Sequence, residues 1–184
     1  MVFFLDILRI TRYNVFILQM RGSPMIYYCN YASPLGNLLL TSDGMALTGL
    51  RINAEIPVNG CLMPELSVLA AARCWLEDYF SGLAPEVTFP IKTEGTVFQK
   101  LVWEILLKIP FGFTRTYGEI SADIAEQMGR EQMSSQAVGQ AVSRNPVLII
   151  IPCHRVIGAG GNLVGYASGL HRKEWLLRHE EMKF

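Results

Sequence analysis

The sequence NPVLIIIPCHRV, residues 145–156, places five apolar residues between two prolines and follows them with Cys153, His154 and Arg155. Four of the five are β-branched, and the run is too short for a typical helix, so it predicts a buried strand. Pro152 cannot donate to a sheet ladder, so the strand should end there and leave Cys153 in a turn. A cysteine on an apolar floor beside two basic side chains is typical of a reactive thiol, because those cations favour the thiolate. An inert cysteine packed at a strand end fits the same local pattern.

Composition restricts the classes of protein to which the chain can belong. The chain has 184 residues, of which 51% are hydrophobic, so it can build a core in one domain or in two small ones. It carries 16 Lys and Arg against 16 Asp and Glu, for a formal net charge of zero. Proteins that rely on bulk attraction to nucleic acid are usually basic, so any contact with DNA must come from a local patch.

The cysteines and histidines argue against a disulfide framework and against a metal site. Four cysteines are scattered along the chain without CxxC-like spacing, and only three histidines are present. We therefore expect no metal and no disulfide. The thiols should stay reduced in a cytosolic location, the bacterial cytosol or nucleoid. The four positions are Cys29, Cys61, Cys74 and Cys153.

Residues 1–24 stand apart from the rest of the chain. They are apolar but interrupted by charged residues, and their apolar runs are far shorter than the roughly 20 residues that a membrane span needs. They also lack the basic start and small-residue cleavage site of a signal peptide. We interpret the segment as an extension upstream of a functional start at Met25. A strand pair or a disordered arm is an alternative, and no membrane association is expected.

Residues 25–92 have the pattern of a small sheet with one helix. Short β-rich runs separated by Pro-Gly and Asp-Gly signals predict antiparallel hairpins. Residues 53–63 are predicted to form a loop, and a helix is predicted from Pro64 to Gly82. This half contains no acid pair, phosphate-binding loop or metal cluster, so a structural role is expected.

Residues 93–184 are predicted to be mostly helical, which makes the whole chain α+β. Capping boxes at Thr96 and Thr116 should open two helices, the first ending before Pro110 and the second near Gln127. A third helix over about 134–144 follows a glycine-containing turn, which suggests a helix-turn-helix, although an ordinary pair of packed helices is the commoner outcome for this pattern alone. Its outer face is polar and nearly uncharged. A glycine-rich loop around Tyr166 precedes a last helix from Leu170 to His179, with Glu180 at its end.

Several motifs together resemble the O6-alkylguanine-DNA alkyltransferase (methylated-DNA–protein-cysteine methyltransferase) family over about residues 25–180. They are Ile151–Val156, Asn145-Pro146 before it, and Gly165-Tyr166 and Lys173–Leu177 after it. The resemblance implies a ribonuclease-H-like structural domain at 25–92. It also implies a DNA-binding, alkyl-acceptor domain at 93–184 with a winged-helix-like helix-turn-helix. The implied reaction moves an alkyl group irreversibly from O6 of guanine, or O4 of thymine, in double-stranded DNA to the protein. The protein would be a monomer and would need no cofactor.

The resemblance also implies catalytic roles for four residues. Cys153 would be the acceptor nucleophile, and His154 would draw off its proton through a bound water. Glu180 would orient the histidine, and Asn145 would hold the turn that presents the cysteine. An alkylated base inside a duplex is hard for a buried thiolate to reach, so the nucleotide must be rotated out of the stack.

The remaining implied roles concern DNA. Tyr117 would press on the target phosphate, and Gln136 stands where the family normally has an arginine that fills the gap left by the rotated base. Glutamine lacks the charge and the guanidinium plane, so we expect weaker and salt-sensitive DNA binding. The other residues expected to contact DNA or the extruded base are Ala137, Arg144, Val156, Tyr166 and Ala167.

Three other functions fit parts of the pattern. A non-catalytic lesion-binding relative would lack the acceptor cysteine, which is present here. A helix-turn-helix regulator should show a basic recognition helix, a dimer interface or a sensory domain, and none is evident. A cysteine hydrolase is disfavoured because adjacent Cys153 and His154 on one turn would rarely place the ring on the thiol.

Overall fold

The computed structural model describes residues 25–181, and the predicted extension at 1–24 lies outside the described residues. The strands are β1 (Ile26–Ser33), β2 (Gly36–Ser42), β3 (Leu47–Ile52), β4 (Gly60–Leu62), β5 (Arg115–Thr116) and β6 (Val156–Ile157). The α-helices are α1 (Ser67–Phe80), α2 (Val97–Leu107), α3 (Tyr117–Gln127), α4 (Ser135–Ser143) and α5 (Leu170–Glu181). Short 3₁₀ helices span Cys153–Arg155 and Ala159–Gly161.

The amino-terminal half is a four-stranded sheet in the order β3-β2-β1-β4. The predicted hairpins are confirmed, because β1 pairs antiparallel with β2 and β2 with β3. The prediction of an unbroken loop over 53–63 is wrong. Three of its residues form β4, which runs parallel to β1 at the sheet edge. A strand so short carries no clear alternation in its sequence, so it could not be recognised from local pattern.

Helix α1 covers this sheet with one apolar face. Its buried side chains recur at helical spacing and enter the main core: Val68, Leu69, Ala72, Trp75, Leu76 and Tyr79. The helix begins at Ser67 and not at the predicted Pro64, and no side chain caps its first turn. It ends as predicted before Gly82, whose positive φ of 82° suits glycine.

The carboxyl-terminal half is helical as predicted. Both predicted capping boxes are present, at Thr96 for α2 and at Thr116 for α3. Helix α4 packs against α2 and α3, and the indole nitrogen of Trp103 donates to the carbonyl of Ala141 at 2.9 Å. The two-residue parallel ladder between β5 and β6 ties the start of α3 to the segment after Cys153. No helix within residues 25–181 is long and apolar enough to cross a membrane.

The apolar run before Cys153 is buried as predicted, but it is a turn and not a strand. It makes one isolated bridge to β3: Leu50 N donates to Pro146 O and Leu148 N donates to Leu50 O, both at 3.0 Å. The chain then reverses through Ile149, whose φ is 69°. A left-handed conformation costs an L-residue roughly 1–2 kcal/mol, so the surrounding contacts must hold it in place. The reversal buries all five apolar side chains in the core.

Candidate active site

Cys153 lies at the floor of a small cavity. It is the first residue of the 3₁₀ helix that follows Pro152, and only 3% of its surface is exposed. The cavity has a volume of about 220 Å³. Its walls come from the start of α3, one face of α4 and the glycine-rich loop before α5. The lining residues are Tyr117, Gly139, Val142, Ser143, Cys153, Gly165, Tyr166 and Ala167.

Asn145 joins the buried turn to the cysteine. Its side-chain nitrogen donates to the carbonyl of Ile151 at 2.8 Å and to the sulfur of Cys153 at 3.1 Å. Its side-chain oxygen accepts from the backbone nitrogen of Val147 at 2.9 Å. Because Asn145 is itself buried, these three bonds fix both the turn and the position of the thiol.

Glu180, near the end of α5, accepts five hydrogen bonds in a buried position. Its Oε1 meets His154 Nε2 at 2.6 Å and accepts from the hydroxyl of Tyr79 at 2.8 Å and from Arg155 Nη2 at 3.0 Å. Its Oε2 accepts from Arg155 Nε at 2.9 Å and from the backbone nitrogen of Gly112 at 3.1 Å. The carboxylate therefore ties together the helix end, the cysteine turn, the loop after α2 and helix α1.

The charges in this cluster follow from burial and pairing. Burial alone would raise the pKa of Glu180, but the hydrogen bonds from His154 and Arg155 and the charge of Arg155 lower it to about 2. Burial lowers the pKa of His154 below its usual value, and this outweighs the opposing effect of Glu180. We therefore assign a neutral imidazole whose Nε2–H donates to an ionised Glu180. Nδ1 is then an acceptor, and it is buried without a hydrogen-bond partner in the described residues.

The thiol is protonated in the resting site. Burial raises the pKa of Cys153 to about 11, although the hydrogen bond from Asn145 and the charge of Lys173 lower it in part. The expectation that His154 and Arg155 would favour the thiolate is therefore wrong. His154 is neutral, and Arg155 points away to bind Glu180 and the carbonyl of Ile109. Sequence neighbours on a 3₁₀ turn face different directions, which the linear pattern does not show.

Lys173 is a buried amine on α5 that braces one cavity wall. Its Nζ donates to the carbonyls of Val156 at 2.5 Å, Val164 at 2.8 Å and Gly165 at 3.4 Å. Burial lowers its pKa to about 8. The amine thereby connects strand β6 with the loop that carries Tyr166.

The predicted DNA-contacting residues fall into three groups. Tyr117, Tyr166 and Ala167 line the cavity with Cys153. Gln136 on α4 is exposed, as is Arg144, which follows the last residue of the helix, and Ala137 is half-buried. Val156 is fully buried behind the cavity, with its carbonyl bound to Lys173, and its side chain does not line the space. The hydroxyl of Tyr166 is buried without a hydrogen-bond partner in the described residues.

Comparisons with known proteins cover both halves of the chain. The ribonuclease-like domain of 6-O-methylguanine DNA methyltransferase matches residues 26–93, and the DNA binding domain of the same family matches residues 97–182. The methylated-DNA–protein-cysteine methyltransferase of Mycobacterium leprae is 45% identical over 159 residues, which is 85% of this chain and 93% of that protein. The chain belongs to this family. The methylated-DNA–protein-cysteine methyltransferase of Methanosarcina acetivorans is 43% identical over 158 residues, which is 84% of this chain and 98% of that protein.

Solved structures of family members have the same fold as this chain. The crystal structure of Mycobacterium tuberculosis OGT in complex with DNA superposes with a TM-score of 0.74 at 40% identity, covering 85% of this chain and 93% of that one. The O6-methylguanine-DNA methyltransferase from Pyrococcus kodakaraensis, at 21% identity and a TM-score of 0.58, shares the fold. The predicted α+β class is confirmed, and so is the activity class of the family, direct-reversal DNA repair by alkyl transfer to a cysteine.

Sequence reasoning missed two residues of this methyltransferase site. Tyr79 follows the apolar spacing of α1 and so resembled an ordinary core residue. Lys173 belonged to the quoted motif without a role of its own, although a lysine on the apolar side of a helix is a signal of a specific partner. No group of three or more His, Cys, Asp or Glu side chains within residues 25–181 is arranged to hold a metal ion.

Proposed function

We propose that the chain repairs double-stranded DNA by taking an alkyl group from O6 of guanine, and also from O4 of thymine, onto the sulfur of Cys153. The observation that carries this proposal is the buried thiol at the floor of a small cavity with the His154–Glu180 pair behind it. At about 220 Å³ the cavity is below the range of drug-sized pockets, roughly 300–1,000 Å³, which suits a single extruded base.

The chemistry is one displacement at a saturated carbon. The thiol proton passes to Nδ1 of His154 through a bridging water, and Glu180 stabilises the resulting imidazolium. A sulfur–carbon bond forms while the bond between that carbon and O6 breaks. The electron pair of the broken bond stays on the guanine, which takes up a proton from water at N1, while the imidazolium of His154 returns the thiol proton to water. Because the resulting thioether is chemically stable, each protein molecule acts once.

The buried position of the thiol suits this sequence of steps. A pKa of about 11 keeps Cys153 protonated and slow to react with adventitious alkylating agents until a base enters the cavity. Asn145 holds the sulfur in place, and the unpartnered Nδ1 supplies the acceptor for its proton. The reactive thiolate forms only where the target carbon already lies beside it.

The DNA-facing surface is proposed to be α4 with Tyr117 at its side. Gln136 is exposed on this helix and Arg144 directly after it, and Ala137 and Gly139 keep the face of the helix narrow enough for a groove. Tyr117 would turn the target nucleotide towards the cavity, where the hydroxyl of Tyr166 and the backbone near Ala167 would hold the base. The half-buried Tyr117 has its hydroxyl 3.5 Å from the carbonyl of Val164, at the cavity rim.

We also propose that residues 25–92 are a structural domain and that residues 93–184 are the domain that binds DNA. The division is supported by a sheet with no chemical cluster in the first part and by the thiol cavity in the second. A reducing cytosol is the proposed location, because the four cysteines are all unpaired.

The test is mass spectrometry of the intact protein and its peptides after incubation with duplex DNA that contains one O6-methylguanine. We expect one methyl group per protein, on the Cys153 peptide, and none in Cys153→Ser. Cys74→Ser is the matched control, since Cys74 is an exposed thiol outside the cavity and its loss should change nothing. A folded protein that binds this DNA without gaining a methyl group would overturn the proposal in favour of a lesion-binding or regulatory role.

A further inference from the structure

We propose that Tyr79 is a positioning residue of the transfer reaction: from helix α1 it holds and tunes Glu180, and through Glu180 the base His154. This inference rests on the proposed function, because it concerns the proton acceptor of the same site. It assigns to the amino-terminal half a chemical role that its sequence did not suggest.

The hydroxyl of Tyr79 is held on its target by the packing of its ring. The ring is fully buried, stacked on Trp75 with centroids 5.3 Å apart and meeting Phe111 edge-on at 5.9 Å. The carbonyl of Tyr79 also lies 2.8 Å from His179 Nε2, on the helix that carries Glu180. With the ring and backbone both fixed, the 2.8 Å bond from the hydroxyl to Glu180 Oε1 is preorganised.

Tyr79 and His154 use the same carboxylate oxygen. A carboxylate offers about four lone-pair sites, and Glu180 already receives five donors within the described residues. The donors on Oε1 therefore compete for its electron density. The tyrosine hydroxyl weakens the attraction of Oε1 for the His154 proton and so limits how readily the imidazole becomes protonated.

The other charged and titratable groups around His154 and Glu180 are the same in the wild type and in the Tyr79 variants. Arg155 binds both oxygens of Glu180, and Lys173 opposes protonation of His154 by its charge. Cys153 and Tyr166 face the same buried space and are neutral at pH 7, because burial raises the pKa of each. Among the donors on Oε1, Tyr79 can be removed without deleting either a charge or the base His154 itself, which makes its effect measurable.

Tyr79→Phe deletes this hydroxyl and keeps the ring contacts. Without the hydroxyl, Glu180 attracts the His154 proton more strongly, so the imidazole is protonated at higher pH and cannot act as a base there. The acid limb of the single-turnover rate should move to higher pH. We expect transfer about 3- to 10-fold slower at pH 6 and changed by less than about 2-fold at pH 8.5. A residue with a purely structural role would not change the shape of the profile.

Two further variants keep the test decisive. Tyr31→Phe removes a hydroxyl from the same aromatic cluster, where Tyr31 stacks on Phe80, and should leave the profile unchanged. Replacing Tyr79 with 3-fluorotyrosine keeps the fold and makes the hydroxyl a stronger donor, so the acid limb should move to lower pH. Opposite shifts by the two Tyr79 variants support the proposal. Profiles that keep the wild-type shape, even with a uniform loss of rate, overturn it.

A second readout separates this inference from the proposed function. The pH dependence of Cys153 alkylation by iodoacetamide reports the same proton acceptor without DNA. If the wild-type protein takes no methyl group from DNA, the proposed function fails, and the iodoacetamide profiles of the Tyr79 variants still decide the inference. If the wild-type protein does take the methyl group and both Tyr79 variants follow its profile, the inference alone fails.

Discussion

Asn145→Ala should be among the most damaging single changes near the cysteine. The substitution removes three buried hydrogen bonds and leaves the backbone nitrogen of Val147 without a partner, while the carbonyl of Ile151 keeps its bond from the backbone nitrogen of Cys153 at 2.8 Å. Both residues are buried, so water cannot replace the amide. The orphaned nitrogen costs about 1–3 kcal/mol and each of the other two lost bonds about 0.5–1.5 kcal/mol, which predicts a loss of about 2–6 kcal/mol in the free energy of unfolding. That is a large part of the roughly 5–15 kcal/mol that stabilises a domain.

Urea unfolding at neutral pH measures this loss through the midpoint at constant slope. Asn162→Ala is the matched control, because that asparagine makes one exposed bond, from its side chain to the carbonyl of Ala159. The control should change stability by less than about 0.5 kcal/mol. If Asn145→Ala costs under 1 kcal/mol, or no more than the control, the turn is held by its apolar packing and the reasoning is wrong.

Two further predictions concern acid stability and helix α4. Glu180 has a folded pKa of about 2 against 4.5 for the free group, so its contribution is complete above about pH 4.5 and is lost as the pH falls towards 2. The difference corresponds to about 3 kcal/mol, and urea midpoints measured from pH 6 to pH 3 should fall more in the wild type than in Glu180→Gln. Gly139→Ala should raise the free energy of unfolding by about 0.5–1 kcal/mol, because the new Cβ would lie at an ordinary 3.7 Å from the ring of Tyr117. A lower melting temperature for Gly139→Ala would show that α4 has no room there.

Local signals were enough to predict most of the fold. The hairpins follow from turn residues between β-rich runs, and the capping boxes at Thr96 and Thr116 depend on residues three positions apart. The buried turn before Cys153 could not be predicted in this way. Its β-branched residues favour a strand, and the left-handed Ile149 is imposed by Asn145 and by the distant backbone of β3.

Site residues that lie within one sequence motif could be predicted, whereas contacts that only the fold brings together could not. Cys153, His154 and Asn145 lie within one stretch, and Glu180 was placed with them by resemblance. The bond from Tyr79 to Glu180 joins residues 101 positions apart, and no local periodicity can indicate such a pair. The wrong expectation for the thiolate has the same origin, since side-chain direction on a 3₁₀ turn depends on what surrounds it.

The contacts between β3 and the cysteine turn have a consequence for recombination between relatives. The bonds of Leu50 with Pro146 and Leu148 join backbone atoms, so a chimera keeps them through almost any change of side chains in β3. The bond from Tyr79 to Glu180 joins two side chains, so the same chimera keeps it only if the donor of the amino-terminal half supplies a hydroxyl at position 79. A chimera of two relatives can therefore keep the packing of the two halves and still lose the hydrogen bond from position 79 to Glu180.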